Sequence, residues 1–378
     1  MRADSRSKLV TPLSEIIRLR HLPALDGIRA LAVFTVIFYH AGLGAVPGDL
    51  GVTAFFVLSG FLITLLLQRE HARTGTVSLR GFYARRTLRI FPAYYALVVF
   101  SLAADWVLND PWPSYRALSA FTYTLNYHNA FFGHEGPLAH GWSLAVEEQF
   151  YLIWPAVFLV LLKTGRLRLG LVAAILATLI WRTFLVSRAP QHYVYNAFET
   201  RLDALAIGCL MAVLCQSPGF VRFGERITRP WAPIVLIVLL NARRLIPESL
   251  HYAIGFTVDS LLVALLILQL MQLSSHKGWT WIEHPVVRWL GLISYPLYLW
   301  HIWGIDVGRK LGGGMFLGIA VSIALAACSY YGLERYFLRL KERRFVDSGR
   351  KAPVPSTSGS QTPMPVASLS GLASERAP

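Results

Sequence analysis

Acidic side chains are scarce in this sequence. There are 21 Asp and Glu against 36 Lys and Arg, and the four charged types together make up only 15% of 378 residues. A soluble globular domain carries about 25%, so this chain lacks the charge for an ordinary solvated surface. Cysteine is scarcer still. Cys209, Cys215 and Cys328 lie in apolar stretches without CxxC or Cys/His ligand spacing. That argues against a disulfide framework or a zinc site and leaves them as small buried hydrophobes; no metal is expected. Also missing is any nucleic-acid-binding module to accompany the formal charge of +15 and the pI near 10.0. The basic residues instead stand in short clusters between apolar runs, where they act as topology signals. No A-x-A-like cleavage site follows a short apolar core near the amino terminus. The first apolar run therefore reads as a retained anchor behind a basic cytoplasmic tail, residues 1–27, which carries Arg2, Arg6, Lys8, Arg18 and Arg20.

What the chain has in quantity is apolar sequence: 54% of residues are hydrophobic and the mean hydropathy is +0.47. The expected fold is all-α, a polytopic membrane bundle spanning residues 28–340. Runs near the bilayer length of about 20 residues give about ten spans, near 29–46, 51–67, 91–108, 143–162, 169–187, 203–217, 231–246, 251–273, 288–305 and 313–331. With ten spans, alternate loops share a compartment, and the loops assigned inside hold about three to four times the Lys and Arg of the opposite set. Both termini are then cytoplasmic. The long outer loop, about 109–141, carries Trp112, Tyr115, Tyr123, Tyr127, Phe131 and Phe132 and suits a segment lying in the membrane interface. In the tail, 341–378, the sequence from Val346 onward is Ser/Pro/Gly-rich with no hydrophobic period and is expected to be disordered.

Ionisable side chains inside apolar runs are expensive and functional by default. The first run, IRALAVFTVIFYHAG, holds two: Arg29 at its cytoplasmic mouth and His40 roughly 16 Å further along a helix. In RGFYARRTLRIFPAYY, between spans 2 and 3, Arg85 and Arg89 share a helix face at i, i+4 and could form a receptor for phosphate at the inner face. The same arginines could instead be topology signals. LAHGWSLAVEEQFY opens span 4 from the outside, with His140 and Trp142 at the interface and Glu147 and Glu148 entering the apolar part. One of these carboxylates could meet His40 and fix its tautomer, or could be a polar clamp between helices. Arg201 and Asp203 in RLDALAIG read as a structural couple. GLISYPLYLWH brings His301 to span 9 as packing with an interfacial polar tip.

Six segments in this order, LDGIRALAVFTVIFYHAG, GVTAFFVLSGFLIT, FYARRTLRIFPAYY, HGWSLAVEEQFYLIWP, RLDALAIGCL and GLISYPLYLWH, resemble the acyltransferase-3 family of bacterial inner-membrane O-acyltransferases over about residues 22–340. The family's R-x10-H matches Arg29 and His40, its cytoplasmic R-x3-R matches Arg85 and Arg89, and its SLxxE-type stretch matches Ser143 to Glu147. The resemblance implies transfer of an acyl group, usually acetyl, from cytoplasmic acyl-coenzyme A to a hydroxyl of a glycan or small molecule. Unlike the longer members, this sequence is expected to lack an appended extracytoplasmic hydrolase-like domain. The roles that follow give the donor's phosphates to Arg85, Arg89 and Arg29 and make His40 the general base. Glu147 orients or charge-balances the imidazole, with Asp26 as its rival, while Trp142, Ser143, Arg201 and Asp203 support substrate or structure. The competing class is a transporter or flippase in which His40 and Glu147 relay protons, although no internal repeat of hydropathy supports it.

Overall fold

The computed structural model describes residues 10–19, 21–108, 113–134 and 136–345. Arg2, Arg6, Lys8, Arg20, Trp112 and the Ser/Pro/Gly-rich tail 346–378 lie outside the described residues. Among the described residues every regular element is a helix.

Twelve of the helices among the described residues are α1 (Pro23–His40), α2 (Gly48–Thr74), α3 (Leu79–Val107), α4 (Trp142–Lys163), α5 (Leu167–Leu185), α6 (Phe198–Leu214), α7 (Ala232–Ala242), α8 (Phe256–Leu273), α9 (Pro285–Leu292), α10 (Ser294–Lys310), α11 (Gly314–Ser329) and α12 (Arg335–Phe345). Local chemistry sets several of their ends. Pro23 opens α1, where its missing N–H is an orphan anyway, and Asp26 in the first turn complements the helix dipole. Ser78 caps α3 by accepting the Gly81 N–H at 3.1 Å. Gly75, at φ 71°, terminates α2 in a left-handed conformation that costs a residue with a Cβ.

By length and composition six helical stretches can cross a membrane: Gly48–Thr74, Leu79–Val107, Ala139–Lys163, Leu167–Leu185, Glu248–Leu273 and Gly314–Arg344. A seventh is added if Gln191–Leu214 and Pro218–Ile227, bent by 106° at their junction, count as one. The chain is a multi-pass membrane protein. The runs expected to span but outside this set are short or charged. α10 has 17 residues and ends in Arg309 and Lys310, α7 has 11, and α1 has 18 with Asp26 and Arg29 inside it.

Small residues let the central helices approach closely, as expected where lipid gives no hydrophobic drive for helix association. At the α2–α6 crossing, a Cβ on Gly60 would stand 2.0 Å from the Leu205 carbonyl oxygen, and one on Gly208 would stand 2.1 Å from that of Val57. Gly304 and Gly308 of α10 meet Ser322 and Gly318 of α11 in the same way. Around these crossings Val33, Ile37, Phe56, Val57, Phe61 and Leu205 are buried, whereas Leu169, Leu176 and Ile180 of α5 and Ile234 and Val238 of α7 face outward. A buried ion pair joins α5 to α6: Arg182 donates to Asp203 at 2.8 Å with both side chains excluded from solvent.

Candidate active site

Two cavities among the described residues lie between the central helices. The wider, about 1000 Å³, opens at the end of the bundle where α1 finishes and α2 and α4 begin. Its lining includes His40, Asp49, His134, His140, Trp142, Tyr195, Arg243, His251 and Tyr298. His40, the last residue of α1, is held there from two directions. Arg309 of α10 donates to the His40 backbone carbonyl at 2.8 Å, which fixes the helix end. The His40 ring meets His301, with Nδ1 of the former 3.1 Å from Nε2 of the latter. His301 is fully buried behind it, and its Nδ1 lies 2.7 Å from the Tyr298 carbonyl oxygen. A third imidazole, His140, packs edge-on against His301 with its Nε2 3.1 Å from the Leu299 carbonyl oxygen. In the loop before α4, burial holds His134 below the ordinary imidazole value, so it presents a neutral ring to the cavity.

The narrower cavity, about 90 Å³, is walled by Arg29, Arg86, Arg89, Ser59, Ser143, Glu147, Glu148, Tyr151 and Tyr295 among others. Here the guanidinium side differs from the expected pair. Arg85 turns away to Glu70 at 2.8 Å, and Arg86, about 100° further round α3, joins Arg89 and Arg29 in the wall. Arg86 lies over the Tyr151 ring at 3.7 Å. Glu147 accepts from Ser59 at 2.6 Å, and Tyr151 in turn donates to Ser59 at 2.8 Å. Glu147 therefore faces the guanidinium-walled narrow cavity, while the His40 ring takes His301 as its partner. Asp26, the rival to Glu147, pairs with His21 at 3.0 Å and Arg29 at 3.6 Å.

The two cavities share Val52 and Tyr298 as walls. Tyr298 is fixed at that waist by Ser143, whose Oγ is 2.6 Å from its hydroxyl, and by donating to the His140 carbonyl at 3.0 Å. Trp142 lines the wide side and packs on Tyr195 and Phe56. The expected Arg201–Asp203 couple is not formed. Asp203 is taken by Arg182 and Thr257, while Arg201 is buried over the Phe256 ring at 4.0 Å and reaches Thr53 at 3.3 Å. Asp49, His251 and Asp259 converge closely enough to ligate a metal. Arg243, however, donates to both carboxylates and supplies the cation of that cluster itself.

Residues 22–332 match the acyltransferase domain of the acyltransferase-3 family. The chain belongs to that family. Among similar proteins, the peptidoglycan O-acetyltransferase OatA of Listeria monocytogenes is 33% identical over 305 residues, covering 75% of this chain and 49% of that protein. The putative peptidoglycan O-acetyltransferase YrhL of Bacillus subtilis is 32% identical over 349 residues, 84% of this chain and 55% of its own. A putative O-acetyltransferase of Staphylococcus aureus, SACOL0978, is 32% identical over 358 residues, 85% and 58% respectively. This acyltransferase-3 chain thus spans about half the length of the curated relatives it matches. No solved structure matches it.

Sequence reasoning did not single out Arg86 and Tyr298 of this candidate site, and it read His301 as packing with an interfacial polar tip. For His301 a signal existed, because an imidazole inside an apolar run invites a functional reading. The expected span 288–305 placed it near an end, but the chain breaks at Ile293 and α10 restarts at Ser294, which puts His301 at mid-helix.

Proposed function

We propose that the protein is a membrane O-acyltransferase that moves an acyl group, acetyl by default, from acyl-coenzyme A to a hydroxyl of a glycan or small-molecule acceptor. The observation that carries this reading is the waist at Tyr298 and Val52. There a guanidinium-walled cavity meets a wide, histidine-lined one, as two chemically unlike substrates require. The polyanionic donor rests its phosphates on Arg29, Arg86 and Arg89, and its thin uncharged pantetheine arm carries the thioester toward the waist. The acceptor enters through the wide cavity, whose aromatic rings suit the faces of a sugar. His40 takes the hydroxyl proton as the new C–O bond forms and the C–S bond breaks, and that proton then passes from the imidazolium to the departing thiolate, which leaves as the thiol and returns His40 to neutral. Holding both substrates together makes direct transfer sufficient without an acyl-histidine intermediate. Glu147 tempers the charge of the guanidinium wall. The Arg29 end of the bundle faces the cytoplasm of a bacterial inner membrane, ten segments cross it, and both termini are cytoplasmic. At about 1.5 Å per residue, the 17 residues of α10 cover roughly 25 Å, enough to cross a locally thinned bilayer.

The test is transfer of label from radiolabelled acetyl-coenzyme A by the purified protein, with a panel of glycan acceptors. Wild type is expected to label an acceptor and release coenzyme A, and His40→Ala to do neither while remaining folded. Near-normal acylation by His40→Ala would overturn the role of His40. Folded wild type that does not bind the thioester at all would overturn the donor and return the His and Glu residues to a proton-coupled transporter.

A further inference from the structure

We infer that His301 is a positioning residue that selects which nitrogen of His40 serves as the base, by locking the two imidazoles into one tautomer. The inference rests on the reading of His40 as general base. A backbone carbonyl can only accept, so the nitrogen of His301 that lies 2.7 Å from the Tyr298 oxygen, Nδ1, carries the hydrogen. Neutral His301 then has a bare lone pair on Nε2, the atom 3.1 Å from His40 Nδ1. His40 Nδ1 must therefore be the donor. That leaves Nε2 as the unprotonated nitrogen of neutral His40, the atom able to accept a proton from a hydroxyl in the wide cavity.

The surroundings maintain this arrangement. His301 is fully buried, and its backbone carbonyl accepts from Ser322 at 3.2 Å, which ties its turn of α10 to α11. His140 also packs edge-on against the His301 ring and spends its own Nε2–H on the Leu299 carbonyl. A proton on His301 Nε2 would confront the hydrogen on His40 Nδ1, so reversing the chain requires both rings to change together. When His40 takes a proton at Nε2, its Nδ1–H continues to donate to His301 and no ring has to turn. In effect a neutral imidazole fills the position that a carboxylate occupies in a Ser-His-Asp triad, orienting the base without adding charge to the site.

Two measurements test this. In full-length protein with ¹⁵N-labelled histidine rings, the His40 resonances are identified by their loss in His40→Ala. In neutral wild type they are expected to show a protonated Nδ1 and an unprotonated Nε2, with that preference lost in His301→Leu. In acetyl transfer, His301→Leu is expected to lower kcat by about 10²–10⁴-fold, the range of a general-base contribution, with KM for acetyl-coenzyme A unchanged. His301→Gln, whose amide oxygen can accept in place of Nε2, recovers most of that loss. A wild-type His40 protonated on Nε2, or a His301→Leu enzyme of normal kcat, overturns the inference. The spectrum of wild type stands whether or not the leucine variant folds. Activity retained by His40→Ala would instead sink the base reading itself, so the two failures are distinguishable.

Discussion

At the level of single residues, the site is decided by which ionisable groups find partners inside the bundle. That Arg29, His40 and Glu147 line the cavities was legible in the sequence because a charge in an apolar run has to be explained, and Arg89 because of its place in a basic cluster at i, i+4 spacing. The choice between Arg85 and Arg86 was not, since one position changes a side chain's direction by about 100° and only the packing of α3 shows which direction is inward. Arg86→Ala and Arg89→Ala are each expected to weaken acetyl-coenzyme A binding by roughly 10- to 100-fold, the loss of one charge-assisted contact of about 1.5–3 kcal/mol. Arg85→Ala, which removes a half-buried pair with Glu70 outside the narrow cavity, should change it little. Titration calorimetry on the three variants checks this, and an Arg85→Ala defect equal to that of Arg86→Ala would mean the donor lies elsewhere. The Arg182–Asp203 pair is a structural counterpart. Asp203→Ala strands a guanidinium that is fully buried, at a cost of about 3–5 kcal/mol. A large fall in the thermal midpoint of detergent-solubilised protein is expected, and an unchanged midpoint would refute the pairing.

Between helices, the spacing of small residues does what polar contacts do within the site. Gly60 and Gly208 set how closely α2 approaches α6, and that distance places Val52 and Phe56 against the cavity walls. Gly208→Leu puts a branched side chain where even a Cβ would lie 2.1 Å from the Val57 carbonyl oxygen. It is expected to abolish the monodisperse peak in size-exclusion chromatography. Gly219→Ala, with no neighbour nearer than the Ser217 hydroxyl at 3.8 Å, should leave the peak unchanged. Equal behaviour of the two would show that the crossing tolerates separation. Apolar runs were legible at this scale because bilayer length leaves few alternatives. Breaks inside a run were harder to see. The break at Ile293 that separates α9 from α10 has no Gly or Pro at the position itself, so hydropathy carried the run through it and shifted His301 from the middle of a helix to its end.

For the whole molecule, the proposed orientation in the bilayer would tie the two cavities to two compartments. A donor confined to the cytoplasm can reach Arg29, Arg86 and Arg89 only if the end of the bundle where α1 begins faces inward. With ten spans, as proposed, Lys and Arg also concentrate on loops at that end. On the proposed orientation two exposed loop positions lie on opposite sides: Thr76, between α2 and α3, inside, and Ser187, after α5, outside. In a background with Cys209, Cys215 and Cys328 replaced by alanine, Ser187→Cys should react with a membrane-impermeant maleimide in intact cells. Thr76→Cys should react only after permeabilisation. The reverse pattern would place the guanidinium-walled cavity outside, away from any coenzyme A, and the donor assignment would fail even with every contact in the site intact. Labelling of both positions from one side would break the alternation of α3, α4 and α5 across the membrane. The outcome therefore bears on the chemistry as well as the topology, since a base at the outer end of α1 is useful only if the thioester arrives from the other side.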